Sequence, residues 1–293
     1  MNIYEDITLV MVCFNSEKLI KKNLNELKKF KTIIIDNSKS NKISSFIKEF
    51  RNIRYKKNKK NIGYGLGNNL GVKECNTPFV FIVNPDILIN TKSIEILYKT
   101  FFMYENAGIL APSLYDKENN RRSNGSISHI KKRKIKKKNF FNYNYAEGNT
   151  CYEYAVGCAY LIRKDFFNYI GGFDRDFFMY FEDNDLCDKT IKNNKTIIEV
   201  PEAKMVHLQG LSSETSFIQS CNLSLIHKIS EYIYYKKRTT FINLYKKILI
   251  NFLDYFQRFL INLILFKLKK SFKNLLRLLS IFLFLSKLYL FLY

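Results

Sequence analysis

The sequence predicts an α/β fold in which a mostly parallel β-sheet is covered by helices on both faces. The first observation is a series of short, uninterrupted apolar runs, such as ITLVMVCF at 7–14. Strands buried on both faces have this character, whereas half-exposed strands alternate apolar and polar residues. The second observation is that segments of helical periodicity separate these runs, which is the pattern of strand–helix–strand units.

Each element follows from its local pattern. In the first helix, the apolar residues that fall on one face are Leu19, Ile20, Leu24, Leu27 and Phe30. In chain order the predicted elements are strand 7–14, helix 16–30, strand 32–35, helix 43–50, strand 53–56, a helix that opens near Gly65, strand 79–83 and helix 91–105. The polar stretch 116–150 interrupts this alternation, and order is predicted to resume at 153–162.

Length and composition limit the classes of protein. The chain has 293 residues, of which 47% are apolar, so it can bury a sizeable core and is not generally disordered. Its six cysteines show no C-x-x-C spacing, and residues 1–6 carry two acids without a signal-peptide pattern. We therefore expect reduced thiols and a cytoplasmic protein.

The net charge of +22 is concentrated in two stretches. Residues 131–138 hold seven Lys or Arg, and residues 241–293 hold nine against the single acid Asp254. Because such dense like charges repel one another, 116–150 is predicted to be a basic loop. It is either simply solvated or a contact for anionic lipid or for the diphosphate of a lipid-linked molecule. No nucleic-acid motif accompanies it, so nucleic acid is not a predicted partner.

Polar residues follow the predicted strands, at the edge where open α/β sheets bind ligands. Asn15 follows the first strand, Asp36 the second, and Asn84-Pro85-Asp86 the strand at 79–83. Taken singly, such residues are more often turn or helix-cap residues. Their repeated occurrence at strand ends makes this edge the candidate site.

A Gly-rich loop at 61–69 precedes a predicted helix. Its glycines do not fit G-x-G-x-x-G, and it follows the third strand rather than the first, so a dinucleotide fingerprint is not predicted. The glycines still allow a ligand to approach the backbone closely, with amides at the helix start facing phosphate.

Residues 174–185 reverse the sign of the charge, with five acids against Arg175. On a predicted helix Glu182 and Asp185 share a face, while Asp183 points about 100° away from Glu182. Acids in a first helical turn also complement the helix dipole, which is the structural alternative. The aromatic residues just before them are Phe177, Phe178, Tyr180 and Phe181. Such an apolar surrounding favours general-base chemistry at a carboxylate.

In this order the motifs resemble those of the family-2 inverting glycosyltransferases, especially rhamnosyltransferase-like members. The resemblance covers about 7–213 and rests on ITLVMVCFNS, IIIDNSKS, NIGYGLGNNLG, FIVNPD, GCAYLIRKDFF, IGGFDRDFFMYFEDNDLC and MVHLQGLSS. It implies a Rossmann-like GT-A fold in a domain spanning 1–215. Within that domain the nucleotide-sugar half would be about 1–112 and the acceptor half about 150–215, with 216–293 as a separate helical region.

The resemblance also implies roles for single residues. The donor-binding positions are Phe14, Asn15 and Asp36 around the base and ribose, Gly63 and Asn69 beside the donor, and Asn84. Asn84-Pro85-Asp86 stands where the family has its Asp-x-Asp metal motif, with Asn in place of the first Asp. Asp86 would then bind Mg²⁺ or Mn²⁺ on the donor diphosphate, and His207 would help to ligate the metal.

The chemistry of glycosyl transfer explains why such residues are needed. Transfer expels a nucleoside diphosphate, and a hard divalent cation with oxygen ligands stabilises the growing negative charge. A carboxylate on the opposite side removes the proton of the acceptor hydroxyl. The resemblance assigns this base to Asp183, with Glu182 as the reserve.

The predicted function is therefore metal-dependent, inverting transfer of a sugar from a dTDP- or UDP-sugar. Rhamnose is the first choice of sugar, and the acceptor is a lipid-linked saccharide of a cell-surface glycan. One alternative is a sugar-phosphate nucleotidyltransferase, which would need a basic Gly-rich loop after the first strand, where 14–17 provides none. The other is a non-catalytic membrane- or nucleic-acid-binding protein of the same fold.

The C-terminal region is predicted to contact a membrane. Between 241 and 266 the polar residues fall within an arc of about 160°, which leaves a broad apolar face. A basic stretch then leads to a closing apolar run of 16 residues that contains Lys287 and is shorter than the ~20 needed to span a bilayer. We expect amphipathic helices on the cytoplasmic face of the inner membrane, where they contact its anionic surface. Packing on the catalytic domain and two membrane passes are the alternatives.

Overall fold

A computed structural model describes residues 2–122, 124–126, 147–208 and 216–287. The strands are β1 Ile7–Cys13, β2 Lys31–Asp36, β3 Ile53–Lys57, β4 Phe79–Val83, β5 Ile87–Leu88, β6 Ala107–Tyr115, β7 Arg121–Arg122, β8 Gly125–Ser126, β9 Thr150–Tyr152, β10 Tyr154–Ala155, β11 Ala159–Arg163 and β12 Thr196–His207. The helices are α1 Ile3–Asp6, α2 Glu17–Leu27, α3 Lys42–Ile47, α4 Tyr64–Lys73, α5 Thr91–Phe101, α6 Lys164–Tyr169, α7 Glu182–Lys192, α8 Phe217–Arg238, α9 Phe241–Ile264 and α10 Leu268–Ser286.

The main sheet has the order β3-β2-β1-β4-β11-β6-β12-β5. The first four of these strands are parallel, with Val10 opposite both Ile33 and Ile82. The β11 strand runs antiparallel to both of its neighbours, β4 and β6, while β6 and β12 are parallel to each other. The prediction of a mostly parallel α/β sheet is confirmed.

The apolar runs are uninterrupted because both faces of the sheet are covered. In β1, Leu9 and Met11 belong to one buried apolar cluster, and Val10 and Val12 belong to the other. Since neighbouring residues of a strand point to opposite faces, a strand between two layers needs apolar side chains at every position. All seven residues of β1 are buried accordingly.

Helix α4 packs unusually closely against β1 through glycine. A Cβ on Gly71 would lie 2.4 Å from Cγ1 of Val10, and one on Gly67 would lie 2.8 Å from both γ-carbons of Val12. The absence of a side chain at these two glycines therefore allows the helix to pack closely against the sheet. Gly63, at the start of the helix, has φ 87° and adopts a left-handed conformation that glycine tolerates best.

The chain divides into two compact units: Met1–Asp174 with Asp183–Ser213, and Arg175–Glu182 with Glu214–Tyr293. The first unit contains the main sheet. The second contains α8, α9 and α10 together with the short segment that precedes α7. The basic run 131–138 and the last apolar residues, 288–293, lie outside the described residues.

Within the second unit, α9 is turned so that apolar side chains face outward. Its buried residues are Leu244, Lys247, Ile248 and Tyr255. Side chains such as Leu249, Ile250, Leu253, Phe256 and Ile264 are exposed. Lys247 belongs to the predicted polar face, and its buried ammonium lies 2.6 Å from the carboxylate of Glu231 on α8. Along the described residues, no helix is both long and apolar enough to cross a membrane.

Candidate active site

Two predicted metal ligands lie side by side. The Oδ2 of Asp86 is 3.2 Å from Nε2 of His207, and both side chains are mostly buried. The contact arises because the short strand β5, which begins directly after Asp86, pairs antiparallel with the end of β12, with Ile87 opposite His207. The backbone N–H of Leu208 also donates to the carbonyl of Asp86 at 2.8 Å, which fixes this pairing.

Asn84 lies next to this pair at the end of β4. Its backbone N–H donates to the carbonyl of Cys158 at 2.8 Å. Its side-chain Oδ1 is buried and has no hydrogen-bond partner among the described residues. A buried amide oxygen without a partner is costly and points to a ligand atom that the side chain is placed to meet.

The donor set fits a divalent cation that completes its shell from a substrate. Within the described ranges no three His, Cys, Asp or Glu side chains cluster as a metal site. Asp86 and His207 would provide an oxygen and a nitrogen ligand, and Oδ1 of Asn84 would be a further oxygen nearby. Mg²⁺ characteristically takes one or two carboxylates from the protein and further oxygens from phosphate and water.

Asp183, in the first turn of α7, is held by hydrogen bonds to two other elements. Its Oδ2 accepts from the hydroxyl of Tyr154 at 2.7 Å and from the backbone N–H of Gly157 at 3.2 Å. A Cβ on Gly157 would lie only 2.7 Å from the Cβ of Asp183. Position 157 therefore has to be glycine for the carboxylate of Asp183 to lie where it does. Burial, followed by the charge of Asp183, raises the pKa of Tyr154 well above its usual value, which keeps its hydroxyl protonated.

The Asp86 and Asp183 carboxylates belong to the same region of the sheet edge. The link is the segment just before β11, where Gly157 contacts Asp183 and Cys158 contacts Asn84. Burial raises the pKa of the Cys158 thiol, and the charges of Asp86 and Asp183 add to that rise. The buried thiol of Cys158 is therefore close enough to both carboxylates for their charges to affect its pKa.

Glu182 precedes Asp183 in the chain but belongs to the other compact unit. Its side chain is buried, at 5% exposure. The two residues before it, Tyr180 and Phe181, have φ values of 70° and 66°. Left-handed backbone costs a residue with a Cβ roughly 1–2 kcal/mol, and two bulky residues in succession require strong surrounding contacts.

The predicted base and ribose residues lie at the ends of β1 and β2. Phe14 is 47% exposed, and Asn15 is exposed with a φ of 53° and a backbone N–H that donates to Ser38. Asp36 is fully buried: Oδ1 accepts from the backbone N–H and hydroxyl of Ser38. The partners of its Oδ2 are the hydroxyl of Tyr55 and the ammonium of Lys57.

Gly63 and Asn69, which were predicted to lie beside the donor, form hydrogen bonds to other parts of the protein. The carbonyl of Gly63 accepts from the side chain of Asn37. The side-chain amide of Asn69 donates to the carbonyl of Phe173 at 2.7 Å, and its oxygen accepts from the N–H of Phe173 at 2.9 Å. Both polar groups of Asn69 therefore hold the turn at 171–173, and its predicted contact with the donor remains a prediction.

An open cavity of about 530 Å³ lies elsewhere in the first unit. Its lining includes Phe102, Tyr104, Arg163, Tyr169 and Lys195. Since Arg163 pairs with the first residue of β4, this cavity is at the amino ends of the parallel strands. The polar residues described above lie at the carboxyl ends, where α/β sheets bind ligands.

Two residues at the site were not predicted from the sequence, Tyr154 and Gly157. Tyr154 lies among many tyrosines in this chain, and nothing in its neighbourhood distinguishes it. Gly157 had a usable signal, because a glycine directly before a buried strand often marks a close approach of backbone. The partner that comes close, Asp183, is 26 residues away in sequence.

The comparison with known protein families decides the identity of the chain. Residues 8–170, more than half of the chain, match the model of glycosyl transferase family 2. The chain belongs to this family. It is a glycosyltransferase, as the sequence predicted, and family membership sets aside the nucleotidyltransferase and non-catalytic alternatives. The matched range includes Asp36 and Asp86 but ends before Asp183 and His207.

Individual relatives agree with this assignment. The chain is 25% identical to a low-salt glycan biosynthesis hexosyltransferase of Haloferax volcanii, over 75% of its own length and 73% of that protein's. It is also 25% identical to an N-acetylglucosaminyl-diphospho-decaprenol L-rhamnosyltransferase of Mycobacterium tuberculosis, over 66% and 69% of the two lengths.

The fold is shared with solved structures. A mannosyltransferase of Pyrobaculum calidifontis, solved with GDP-mannose and Mn²⁺, superposes with a TM-score of 0.55 at 11% identity, over 96% of this chain and 74% of the other. The predicted GT-A fold is confirmed.

Proposed function

We propose that this family-2 glycosyltransferase transfers a sugar with inversion from a dTDP- or UDP-sugar to a hydroxyl of a lipid-linked saccharide. Rhamnose is the first candidate, since one relative is an L-rhamnosyltransferase whose name specifies a decaprenol diphosphate acceptor. The observation that carries the proposal is the Asp183 carboxylate. It lies at the same strand ends as Asp86 and His207 and is aimed by Tyr154 and Gly157.

In the proposed reaction Asp183 acts as the base. It takes the proton of the acceptor hydroxyl while that oxygen forms a bond to the anomeric carbon. The bond from this carbon to the diphosphate breaks, and its electron pair leaves with the nucleoside diphosphate. A single displacement of this kind inverts the anomeric centre. Tyr154, which stays protonated, and the N–H of Gly157 keep the carboxylate oriented throughout.

Asp86, His207 and Asn84 are the residues that would hold Mg²⁺ or Mn²⁺. When bound, the cation compensates the negative charge of the diphosphate leaving group. The mannosyltransferase of the same fold was solved with Mn²⁺, which supports the proposed use of a divalent cation. Phe14 and Asn15 are exposed at the adjacent strand end and would contact the nucleotide. Asp36 would act indirectly, by ordering the loop at 36–38 through its bonds to Ser38.

We further propose that α9 and α10 rest on the cytoplasmic face of the inner membrane. Among the described residues, their exposed apolar side chains form a long apolar surface of a kind that soluble monomers rarely carry. Lys267, Lys269 and Lys270 are exposed near the junction of the two helices, and their positive charges would complement anionic lipid headgroups. A helix with this division of side chains lies in the interface plane.

Mass-spectrometric screening tests the proposed reaction. Purified protein is incubated with a panel of dTDP-, UDP- and GDP-sugars and a polyprenyl-diphosphate saccharide acceptor, with and without Mn²⁺. We expect a mass increment of one sugar on the acceptor with one donor, and only when Mn²⁺ or Mg²⁺ is present. Undiminished transfer in the presence of a chelator would contradict the proposed metal role.

A further inference from the structure

Two cations of α10 lie on the side of the helix away from its exposed apolar residues. Lys273 and Arg277 are four residues apart, so they share one face of the helix. Leu275 and Leu279, each two residues from Arg277, fall on the opposite side and are exposed. Lys273 and Arg277 are partly buried instead. Helices of soluble bundles show the reverse division, with apolar residues toward their neighbours and charged residues toward water.

Arg277 and Lys228 of α8 lie against the same buried ring. The guanidinium carbon of Arg277 is 5.6 Å from the ring centroid of Tyr255 on α9, and the ammonium of Lys228 is 5.7 Å from it. The ammonium of Lys273 lies 3.3 Å from the hydroxyl of Ser220 on α8. Lys228, Lys273 and Arg277 therefore form a basic seam between the helices of this unit.

The two helices that carry the basic seam contain a single acid. Glu231 is the sole Asp or Glu within 217–238 and 268–286. Its Oε2 lies 2.7 Å from the ammonium of Lys228, and its Oε1 lies 2.6 Å from that of Lys247. Burial tends to lower the pKa of Lys228, but the carboxylate of Glu231 raises it above its ordinary value, so this ammonium stays charged. The acid of α9, Asp254, pairs with Arg258.

Within the described part of the chain, Lys273 and Arg277 form no ion pair with a carboxylate. One terminal nitrogen of Arg277, Nη1, donates to Oδ1 of Asn274 at 3.2 Å. Its Nε is buried and has no hydrogen-bond partner among the described residues. Removing a cation from water is costly unless an anion or hydrogen-bond acceptors compensate it. The excess positive charge of the basic seam therefore indicates an anionic ligand.

We propose that the basic seam binds the phosphate group of a membrane lipid. The guanidinium of Arg277 offers paired N–H donors that match phosphate oxygens, and Lys228 and Lys273 add point charges. A lipid is favoured over a soluble phosphate because the same helical unit exposes a long apolar surface that suits acyl chains. The inference rests on the proposed membrane contact of α9 and α10. A phospholipid headgroup and the diphosphate of a lipid-linked saccharide share this chemistry, and the test distinguishes them.

Vesicle binding by the full-length protein tests the proposal. The vesicles consist of a neutral galactolipid, which lacks phosphate, and one added anionic lipid: phosphatidylglycerol, a polyprenyl diphosphate, or oleate as a carboxylate without phosphate. At equal surface charge, we expect at least one phosphate lipid to bind the wild type about tenfold or more tightly than oleate does. The phosphate lipid that binds more tightly identifies the source of the ligand.

Variants assign this preference to the basic seam. Arg277→Gln and Lys273→Gln should bind phosphate and oleate vesicles equally. Arg277→Lys keeps the charge but loses the paired donors, so it should retain part of the preference. Lys236→Gln removes an exposed cation of α8 and should keep the whole preference. Far-UV circular dichroism checks folding, and if Arg277→Gln does not fold, Lys273→Gln and Arg277→Lys carry the same test.

Two results would overturn the phosphate site. They are equal binding of the wild type to phosphate and oleate vesicles, and an undiminished phosphate preference in the Gln variants of Arg277 and Lys273. A wild type that binds none of the vesicles would contradict the membrane contact itself. Absence of sugar transfer with an intact phosphate preference would contradict only the proposed reaction.

Discussion

The Oδ2 of Asp86 lies 3.2 Å from the Nε2 of His207, although 121 residues separate them in the chain. Antiparallel pairing of β5 with the end of β12 creates this contact. The two residues were predicted from separate motifs, and the structure brings them together. Their shared role as metal ligands is still a prediction, and it has a direct test.

Replacing either residue should weaken metal binding. Loss of one ligand from a small donor set should lower the affinity for Mn²⁺ about tenfold or more in Asp86→Ala and in His207→Ala. Isothermal titration calorimetry with Mn²⁺ and the nucleoside diphosphate measures this without turnover. Asp165→Ala, which removes an exposed carboxylate that pairs with Arg163, is the control. Equal Mn²⁺ affinity in all of these proteins would show that Asp86 and His207 are not metal ligands.

Tyr154→Phe tests how Asp183 is oriented. The change removes one hydrogen bond to a carboxylate, which is worth about 1.5–3 kcal/mol and so corresponds to a loss of roughly tenfold or more in kcat. Tyr169→Phe makes the same change at an exposed position and should leave kcat unaltered. Because the pKa of Tyr154 is raised, its hydroxyl stays protonated and its replacement should not remove an alkaline limb from the pH profile. Wild-type kcat in Tyr154→Phe would show that Gly157 alone suffices.

Asn69→Ala separates a structural role from donor binding. Loss of both hydrogen bonds to Phe173 leaves two backbone groups unpaired, so the free energy of unfolding should fall by about 2–3 kcal/mol. Urea denaturation measures this, with Asn168→Ala on the exposed side of α6 as the control. A wild-type stability combined with a raised donor KM would instead restore Asn69 to the donor site.

Gly71→Ala tests the close packing of α4 on β1. The added methyl group would overlap Cγ1 of Val10, and overpacking of this kind costs about 1–3 kcal/mol. The double variant Gly71→Ala/Val10→Ala should recover part of this loss, so a double-mutant cycle by denaturation should show a favourable coupling. Additive effects would mean that the helix simply moves away from the strand.

Ile264→Glu tests the membrane surface. Ile264 and Met103 are both 73% exposed, but Met103 lies in the sheet-containing unit. A charge in place of an inserted apolar side chain should weaken binding to vesicles of phosphatidylglycerol and phosphatidylethanolamine by about tenfold. Met103→Glu should bind as the wild type does. Equal vesicle binding by both variants would assign the surface to a different partner.

The sequence predicted those features whose signal is local. The strand at 79–83 has the predicted bounds, and β1 and α2 differ from the prediction by a few residues, because burial on two faces and helical periodicity are both visible in a short window. Asn84, Asp86 and His207 were recognisable because a motif places them at strand ends.

Other features depend on partners that no short window contains. The buried ion pair of Lys247 with Glu231 was not predicted, because helical periodicity shows the polar face of α9 but not which of its residues meets a neighbouring helix. Asn69 and Phe173 are 104 residues apart, so their mutual hydrogen bonds had no local signal. The left-handed Tyr180 and Phe181 contradict residue preference altogether, and only tertiary contacts explain them.

The carboxylate of Asp183 is the proposed base of an inverting glycosyl transfer. The most direct test is the transfer rate of Asp183→Asn against wild type and Glu182→Gln, with the anomeric configuration of the product read by NMR. A missing general base should lower kcat by about 10²–10⁴-fold in Asp183→Asn, with an inverted product in the wild type. Full transfer by Asp183→Asn, or a product that retains the donor's configuration, would contradict it.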